Sequence, residues 1–152
     1  MKIWIKKDII DEILSNGNIW RPKETGGVLM GYIAADYYVV TDLIGPGPNA
    51  VHGLFSFEPD QEFHKQEIAD LYERSKQTTT YLGDWHTHPN SFPYLSATDK
   101  KTAQKIASYS EARLPNPLML VVAPPACDFK AWICKINSLN ENLFEQAEII
   151  LY

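Results

Sequence analysis

Apolar and polar positions recur along the chain with periods that predict alternating helices and strands. Four aliphatic residues between positions 9 and 14 are spaced as on one helical face, and Asn16-Gly17-Asn18 follows as a stop signal. This pattern predicts a short amphipathic helix over residues 7–15. Apolar side chains near one face of a charged segment predict a second helix over residues 60–76, and composition predicts a third over residues 97–111.

The β-branched and apolar stretches between these helices predict the strands. "ETGGVLMGYI" is predicted to be a buried strand with "YYVVTDLI" as its hairpin partner, and "VHGLFSF" a third strand. "TTTYLGDWHTH", "PLMLVVAPP" and "FKAWICKI" predict three more, whereas the tail "ENLFEQAEIILY" suits either a strand or a short helix. With no repeat or linker in the sequence, residues 1–152 are predicted to form one α/β domain.

Composition narrows the class of protein. A hydrophobic fraction of 45% over 152 residues is enough to build a core, and a net charge of −5 gives no basic footprint for nucleic acid or an anionic membrane. No run approaches the roughly 20 apolar residues of a membrane span, and the first residues lack the apolar core of a signal peptide. Cys127 and Cys134 have neither zinc-knuckle nor disulfide-framework spacing. We therefore expect a cytoplasmic protein with both thiols in strands.

Two histidines one residue apart end one of the predicted strands. Alternation along a strand places His86 and His88 on the same face. Asp99 follows at the start of the predicted third helix, and a turn that folds back would bring its carboxylate to the histidines. Two neutral imidazoles and one carboxylate suit a zinc ion with its fourth position left open for water. His86, His88 and Asp99 are therefore the predicted metal ligands.

Two further residues supply the proton transfer and the hydrogen bond that hydrolysis needs. Glu24 stands before Thr25-Gly26-Gly27, where small residues let another segment approach closely. A carboxylate beside the metal could take a proton from water and pass it to a leaving amine. The Ser96 hydroxyl could donate a hydrogen bond to the tetrahedral oxyanion. Together these residues predict metal-assisted hydrolysis of an amide.

Each part taken alone also has a plain structural explanation. Ser96 and Asp99 fit the S-x-x-D/E capping box, in which the two residues satisfy the first amides of a helix. A bare His-x-His is more often a pair of ordinary polar strand residues, and one glutamate before two glycines has no meaning by itself. The metal-site hypothesis depends on the joint occurrence of all five residues in order.

The joint pattern resembles the JAB/MPN metalloenzymes, also called JAMM isopeptidases. Their motif is an upstream glutamate, His-x-His, seven residues, serine, two residues and aspartate, and every position is filled here. The resemblance implies one zinc ion held by His86, His88 and Asp99, Glu24 as general base and acid, and Ser96 as support for the oxyanion. It also implies a single MPN domain with a curved mixed β-sheet flanked by helices, similar to cytidine deaminases.

The resemblance also suggests a substrate class. With 53 residues after Asp99 (152 minus 99), the chain resembles compact bacterial members found beside E1-like and E2-like enzymes in antiphage operons. Those members remove a ubiquitin-like protein from a conjugate, whereas relatives in sulfur-carrier pathways trim a ubiquitin-like precursor. A non-catalytic MPN scaffold is a further alternative. A deaminase would need H-x-E with P-C-x-x-C, which the sequence lacks.

The remaining aromatic and histidine residues carry weaker predictions. Strand alternation turns Trp85 away from the two histidines and into the core, although a place in the substrate groove is the alternative. Phe92 and Tyr94, in a proline-bounded loop, suit groove and structural roles equally. His64 is predicted to lie on the solvated face of its helix. His52 is predicted to be structural or exposed, with substrate contact as the alternative.

Overall fold

Three α-helices and nine strands are present in a computed structural model that describes residues 1–137, 139 and 141–152. The elements are β1 (Lys2–Ile5), α1 (Lys7–Trp20), β2 (Gly26–Ala34), β3 (Tyr37–Ile44), β4 (Val51–His52), β5 (Phe57–Glu58), α2 (Gln61–Arg74), β6 (Thr80–Thr87), α3 (Ala97–Ser108), β7 (Leu118–Ala123), β8 (Asp128–Ile136) and β9 (Asn142–Leu151). The predicted α/β class is confirmed.

Seven of the strands form one mixed sheet in the order β1-β3-β2-β6-β7-β8-β9, and the sheet closes into a barrel. Closure depends on β1, which pairs in parallel with β3 on one side and with β9 on the other. The expected mixed sheet and helices are present, and the sheet curves far enough to close, which the sequence did not predict. The sequence pattern did not predict β1, and this strand joins the two edges. The likeness to cytidine deaminases stays a prediction.

The main core lies on the inner side of the barrel. Inward-facing residues from β1, β2, β3, β6, β7, β8 and β9 form one cluster, and three isoleucines of α1, Ile9, Ile10 and Ile13, complete it. Burial of each such side chain contributes about 1.5–3 kcal/mol to folding. Two smaller clusters form on the outside, where α2 covers β2 and β3 and α3 covers β7 and β8. The outer face of β6 between these two helices is thereby left as the floor of a groove.

The boundaries of α1 differ from the prediction for a physical reason. The helix runs through Gly17 to Trp20 instead of ending at residue 15. A Cβ atom on Gly17 would lie 2.6 Å from Cγ of Pro124 and 3.2 Å from a methyl group of Thr87. The glycine therefore permits close helix packing behind β6, and it does not act as the predicted stop signal.

The segments after β3 and at the end of the chain also differ from simple expectations. "VHGLFSF" is not one strand, because the Gly53 amide donates to the Ser56 carbonyl at 2.8 Å and folds the segment into the β4–β5 hairpin. The tail is the strand β9. Cys134 is buried in β8 as expected, whereas Cys127 precedes that strand with a positive φ of 49°.

Within the described ranges, no helix combines the length and the apolar character that crossing a bilayer requires.

Candidate active site

Strand β6 has an irregularity just before the candidate active site. A register shift at Gly83, whose φ is +146°, places Tyr81 and Asp84 on the same outer face, where the Tyr81 hydroxyl donates to Asp84 Oδ1 at 2.7 Å. Normal alternation then resumes and puts His86 on this face. The amide of His88 donates to the Val122 carbonyl at 2.8 Å, so His88 keeps the direction of the strand beyond its end.

The structure brings His86, His88 and Asp99 together. The two Nε2 atoms are 3.2 Å apart, His86 Nε2 lies 3.1 Å from Asp99 Oδ1, and His88 Nε2 lies 3.6 Å from Asp99 Oδ2. Candidate ligand atoms of all three residues lie within 4.8 Å of one another. Two imidazole nitrogens and one carboxylate oxygen converging on one point are a donor set that fits a divalent transition metal such as zinc.

The start of α3 determines where Asp99 points. Ser96 is the N-cap, its Oγ accepts from the Asp99 amide at 3.1 Å, and its own amide donates to Asp99 Oδ2 at 2.8 Å. The capping box that the sequence allowed as an alternative is thus present, together with the cluster. Asp99 Oδ2 accepts the hydrogen bond of the capping box at the start of α3, while Oδ1 faces His86. Because the cap uses only a lone pair of Ser96 Oγ, it does not consume the hydroxyl hydrogen.

A hydrogen bond to a backbone carbonyl fixes the orientation of the His88 ring. His88 Nδ1 lies 3.1 Å from the Phe92 carbonyl, which can only accept, so Nδ1 carries the hydrogen in this contact. In the neutral ring this tautomer leaves the lone pair on Nε2, the atom that faces His86 and Asp99. The Tyr94 ring packs beside His88 with centroids 4.8 Å apart. Nε2 is therefore the atom of His88 that could bind a metal ion.

The pKa values of Asp99 and His88 are shifted by their surroundings in the cluster. Burial alone would raise the pKa of Asp99, but hydrogen bonds with His86 and His88 outweigh burial and hold that pKa well below its usual range. Burial alone would lower the pKa of His88, but the hydrogen bonds with Asp99 and with the Phe92 carbonyl, and the neighbouring negative charges, raise it overall.

Glu24 lines the same cavity as the cluster. Burial raises the pKa of its carboxyl, the charges of His86 and His88 oppose this shift, and the charge of Asp99 adds to it. The next residue is bound to the histidine strand, because the Thr25 amide donates to Thr87 Oγ1 at 3.0 Å and the Thr87 amide donates to the Thr25 carbonyl at 2.9 Å. Thr25 is thereby held opposite the residue that separates the two histidines, and Glu24 directly precedes it.

The cavity has a volume of about 660 Å³ and opens to solvent between the β4–β5 hairpin and the loop before α3. Leu54 and Phe55 at the hairpin tip form one rim, and Tyr94 forms part of the other. Phe55 is 91% exposed. Asp84 lies at the floor beside His86. The site is therefore a polar groove with apolar rims, which suits an extended chain with both backbone amides and side chains to bury.

The aromatic and histidine residues that carried weaker predictions lie in different environments. Trp85 packs in the core and donates from Nε1 to the Ile44 carbonyl at 3.1 Å, as strand alternation predicted. Phe92 is 80% exposed and lines a neighbouring depression, whereas Tyr94 lines the active-site groove. The prediction for His64 was wrong. It is 8% exposed, and its Nε2 donates to the Gly45 carbonyl at 2.8 Å, so a loop covers this face of α2.

Sequence reasoning missed two residues that shape the site. Asp84 shares the outer face of β6 with His86, and its separation by two residues from His86 was the available signal. Thr87, between the histidines, points inward and holds Thr25, a contact between residues 62 positions apart. A pattern of neighbouring residues cannot predict a partner so distant in the sequence.

Comparisons with known proteins agree with the geometry. Residues 6–135 match the family Prok-JAB, described as prokaryotic homologs of the JAB domain. A Sinorhizobium fredii protein named "Probable metalloprotease y4qB" is 37% identical over 150 residues, covering 96% of this chain and 91% of that protein. An Escherichia coli protein named "CD-NTase/cGAS isopeptidase" is 33% identical over 99 residues, covering 62% of this chain and 64% of the relative.

A solved structure shares the fold. The solution structure of protein DSY2949 from Desulfitobacterium hafniense superposes with a TM-score of 0.72 at 20% identity, covering 99% of this chain and 92% of that one. The family match spans most of the chain, and the relatives in it are named metalloprotease and isopeptidase. The chain therefore belongs to the prokaryotic JAB family and is a hydrolase of the metalloprotease type.

Proposed function

We propose that this protein is a zinc-dependent isopeptidase that cleaves after the C-terminal tail of a ubiquitin-like protein. The observation that carries the proposal is the convergence of Glu24 with His86, His88 and Asp99 in one open cavity. A metal site alone binds an ion. A carboxylate with a raised pKa beside it adds the group that moves protons during hydrolysis.

Three side chains hold the ion in this proposal, with His86 and His88 binding through Nε2 and Asp99 through its carboxylate. Zinc, when bound, supplies Lewis acidity to the scissile carbonyl and lowers the pKa of a water to roughly 7. The Phe92 carbonyl keeps His88 in the tautomer that binds. The α3 capping box keeps the Asp99 carboxylate in place.

The proton transfers are assigned to Glu24. Its carboxylate accepts a proton from the attacking water as the new C–O bond forms, and then donates that proton to the amine nitrogen as the C–N bond breaks. The Ser96 hydroxyl donates to the developing oxyanion, a kind of contact whose loss costs about 100- to 1000-fold in kcat. Its capping bond leaves the hydroxyl hydrogen available for this donation.

The groove supports the substrate class. An extended tail can lie in the groove, where Leu54, Phe55 and Tyr94 supply apolar surface for the more distal part of the tail. Four relatives carry the name "CD-NTase/cGAS isopeptidase", which favours removal of a modifier from a conjugate over trimming of a precursor. We therefore propose a bacterial deconjugating enzyme, with a role in antiphage defence.

The test uses a ubiquitin-like protein joined through its C-terminal glycine to the ε-amine of a lysine peptide. Zinc-loaded wild-type protein should release the peptide, and chelation should abolish release. The Glu24→Gln variant should bind zinc stoichiometrically by elemental analysis, yet lose at least about 100-fold in turnover because it lacks the proton carrier. Glu73→Gln, on the exposed side of α2, is the matched control and should cleave normally.

Three results would contradict the proposal: no bound metal after reconstitution, cleavage that survives chelation, or undiminished cleavage by Glu24→Gln. Zinc binding without cleavage of either a conjugate or a linear precursor would favour a scaffold. Cleavage of the linear precursor alone would favour maturation of a ubiquitin-like protein.

A further inference from the structure

His52 lies outside the motif, yet it contacts the backbone of the proposed proton carrier. Its Nδ1 is 2.9 Å from the Glu24 carbonyl oxygen. A carbonyl oxygen only accepts, so His52 Nδ1 carries the hydrogen and donates it. The neighbouring residue adds a second contact, because the Glu24 amide donates to the Gly53 carbonyl at 2.8 Å. Both backbone polar groups of Glu24 are thus bound to the β4–β5 hairpin.

The His52 ring contacts two other aromatic rings. It stacks on Trp20, at the end of α1, with centroids 3.4 Å apart and planes 7° from parallel. The Phe57 ring lies beside it at 5.3 Å, tilted by 45°. Phe57 also lies over Gly26, where a Cβ atom would come within 2.8 Å of the Phe57 ring. These aromatic contacts therefore join three segments, α1, the hairpin and the start of β2.

The peptide unit after Glu24 is bound at both ends. Its oxygen accepts from His52, and its nitrogen, the amide of Thr25, donates to Thr87 Oγ1 at 3.0 Å. Thr87 separates His86 from His88 in the chain. The position of Glu24 relative to the two histidines is therefore set by the bonds of Thr25 to the histidine strand and by the bonds of Glu24 to His52 and Gly53 of the hairpin.

We propose that His52 is a positioning residue for catalysis, which holds the Glu24 backbone through its Nδ1–H and is itself held by stacking on Trp20. This proposal rests on the role of Glu24 in the proposed function. Proton transfer requires the carboxylate within hydrogen-bond reach of the reacting atoms, and misplacement by about 1 Å can cost roughly 100-fold in rate. His52 itself does not line the cavity, whereas its hydrogen-bond partner Glu24 does, so its effect on catalysis is exerted through Glu24.

Two substitutions separate the hydrogen bond from the packing. His52→Phe keeps an aromatic ring to stack on Trp20 but removes the donor. His52→Asn loses the ring but places an amide nitrogen at the position of Nδ1, two bonds from Cβ. On the lysine-peptide conjugate, we expect kcat of His52→Phe to fall at least about tenfold with KM and zinc content unchanged. His52→Asn should recover most of that loss.

A second measurement is independent of turnover. Hydrogen exchange of the Glu24 and Thr25 amides, followed by NMR in the zinc-loaded protein, should be faster in His52→Phe than in the wild type, and protection should return in His52→Asn. Unchanged protection in His52→Phe would overturn the proposal even if no substrate were cleaved. Faster exchange with an unchanged kcat would overturn the catalytic part.

The failure of this proposal is distinguishable from failure of the proposed function. If wild-type protein cleaves and Glu24→Gln does not, the isopeptidase assignment stands whatever His52→Phe does. If His52→Phe turns over at the wild-type rate while His52→Asn is slow although its fold and zinc content are normal, ring packing and not the hydrogen bond determines the effect, and the proposal is wrong.

Discussion

Asp99 shows how one short side chain serves both the helix and the cluster. Oδ2 accepts from the Ser96 amide at 2.8 Å, and Oδ1 lies 3.1 Å from His86 Nε2. Each oxygen has more than one acceptor site, so capping and ligation do not compete for the same lone pair. The capping box orients the Asp99 carboxylate, because rotation of the carboxylate away from the histidines would break the bond to Ser96.

An Asp99→Glu substitution tests this double role. Glutamate is the common acid at this position of a capping box, so the metal-free variant should unfold within about 0.5 kcal/mol of wild type in urea. The extra methylene displaces the carboxylate from the histidines, and zinc affinity measured by chelator competition should fall at least about tenfold. Ser96→Ala should show the opposite pattern in the metal-free protein, losing about 1 kcal/mol.

Unchanged zinc affinity and turnover in Asp99→Glu would remove Asp99 from the ligand set. That result would leave the capping box as the whole function of the residue.

At the scale of the elements, the sequence predicted where the helices start, but it did not predict the shortest strands. Asp60 and Ser96 are capping residues whose identity marks the starts of α2 and α3. By contrast, β4 and β5 have two residues each, which is too short for a period of two to be detected. They form because the turn closes on itself and Phe57 packs over Gly26, a contact between residues distant in sequence.

The α2 cap provides a prediction at this scale. Asp60 Oδ1 accepts from the Phe63 amide at 3.2 Å, and Oδ2 accepts from the Asn49 amide at 3.0 Å, so one side chain joins the helix to the preceding loop. Asp60→Ala should lower the free energy of unfolding by about 1–2 kcal/mol, since two bonds are lost. Lys65→Ala, exposed within the same helix, is the control and should change it by less than about 0.5 kcal/mol.

Urea unfolding of the metal-free proteins measures both variants. Equal stabilities of Asp60→Ala and Lys65→Ala would mean that solvent replaces the cap without cost.

At the scale of the whole molecule, the sequence predicted the class but not the closure. Apolar patterns identified most strands, and motif spacing brought His86, His88 and Asp99 together before any coordinates. Barrel closure could not be predicted, because it pairs residues at opposite ends of the chain, such as Lys2 with Glu148. The contacts that hold Glu24 in place could not be predicted for the same reason, since His52 and Thr87 lie 28 and 63 positions away from it in the sequence (52 minus 24 and 87 minus 24).

Closure by β1 predicts a large effect from a single inward residue. Ile3 is fully buried in the main core, whereas Lys2 beside it points outward and is exposed. Ile3→Ala should lower the free energy of unfolding by about 2–5 kcal/mol through lost burial and a cavity, and Lys2→Ala by less than about 0.5 kcal/mol. Urea denaturation followed by tryptophan fluorescence checks both values. Similar midpoints for the two variants would show that β1 contributes little to the barrel.

The place of β1 between β3 and β9 also affects the order of folding during synthesis. Its partner β9 starts at residue 142, so the edge of β1 next to β9 stays unpaired until that strand has been synthesised. The segments that carry Glu24, the histidines and Asp99 are complete by residue 99 and can pair earlier. Because such long-range pairing is slow, we expect these segments to form their contacts first and the barrel to close last.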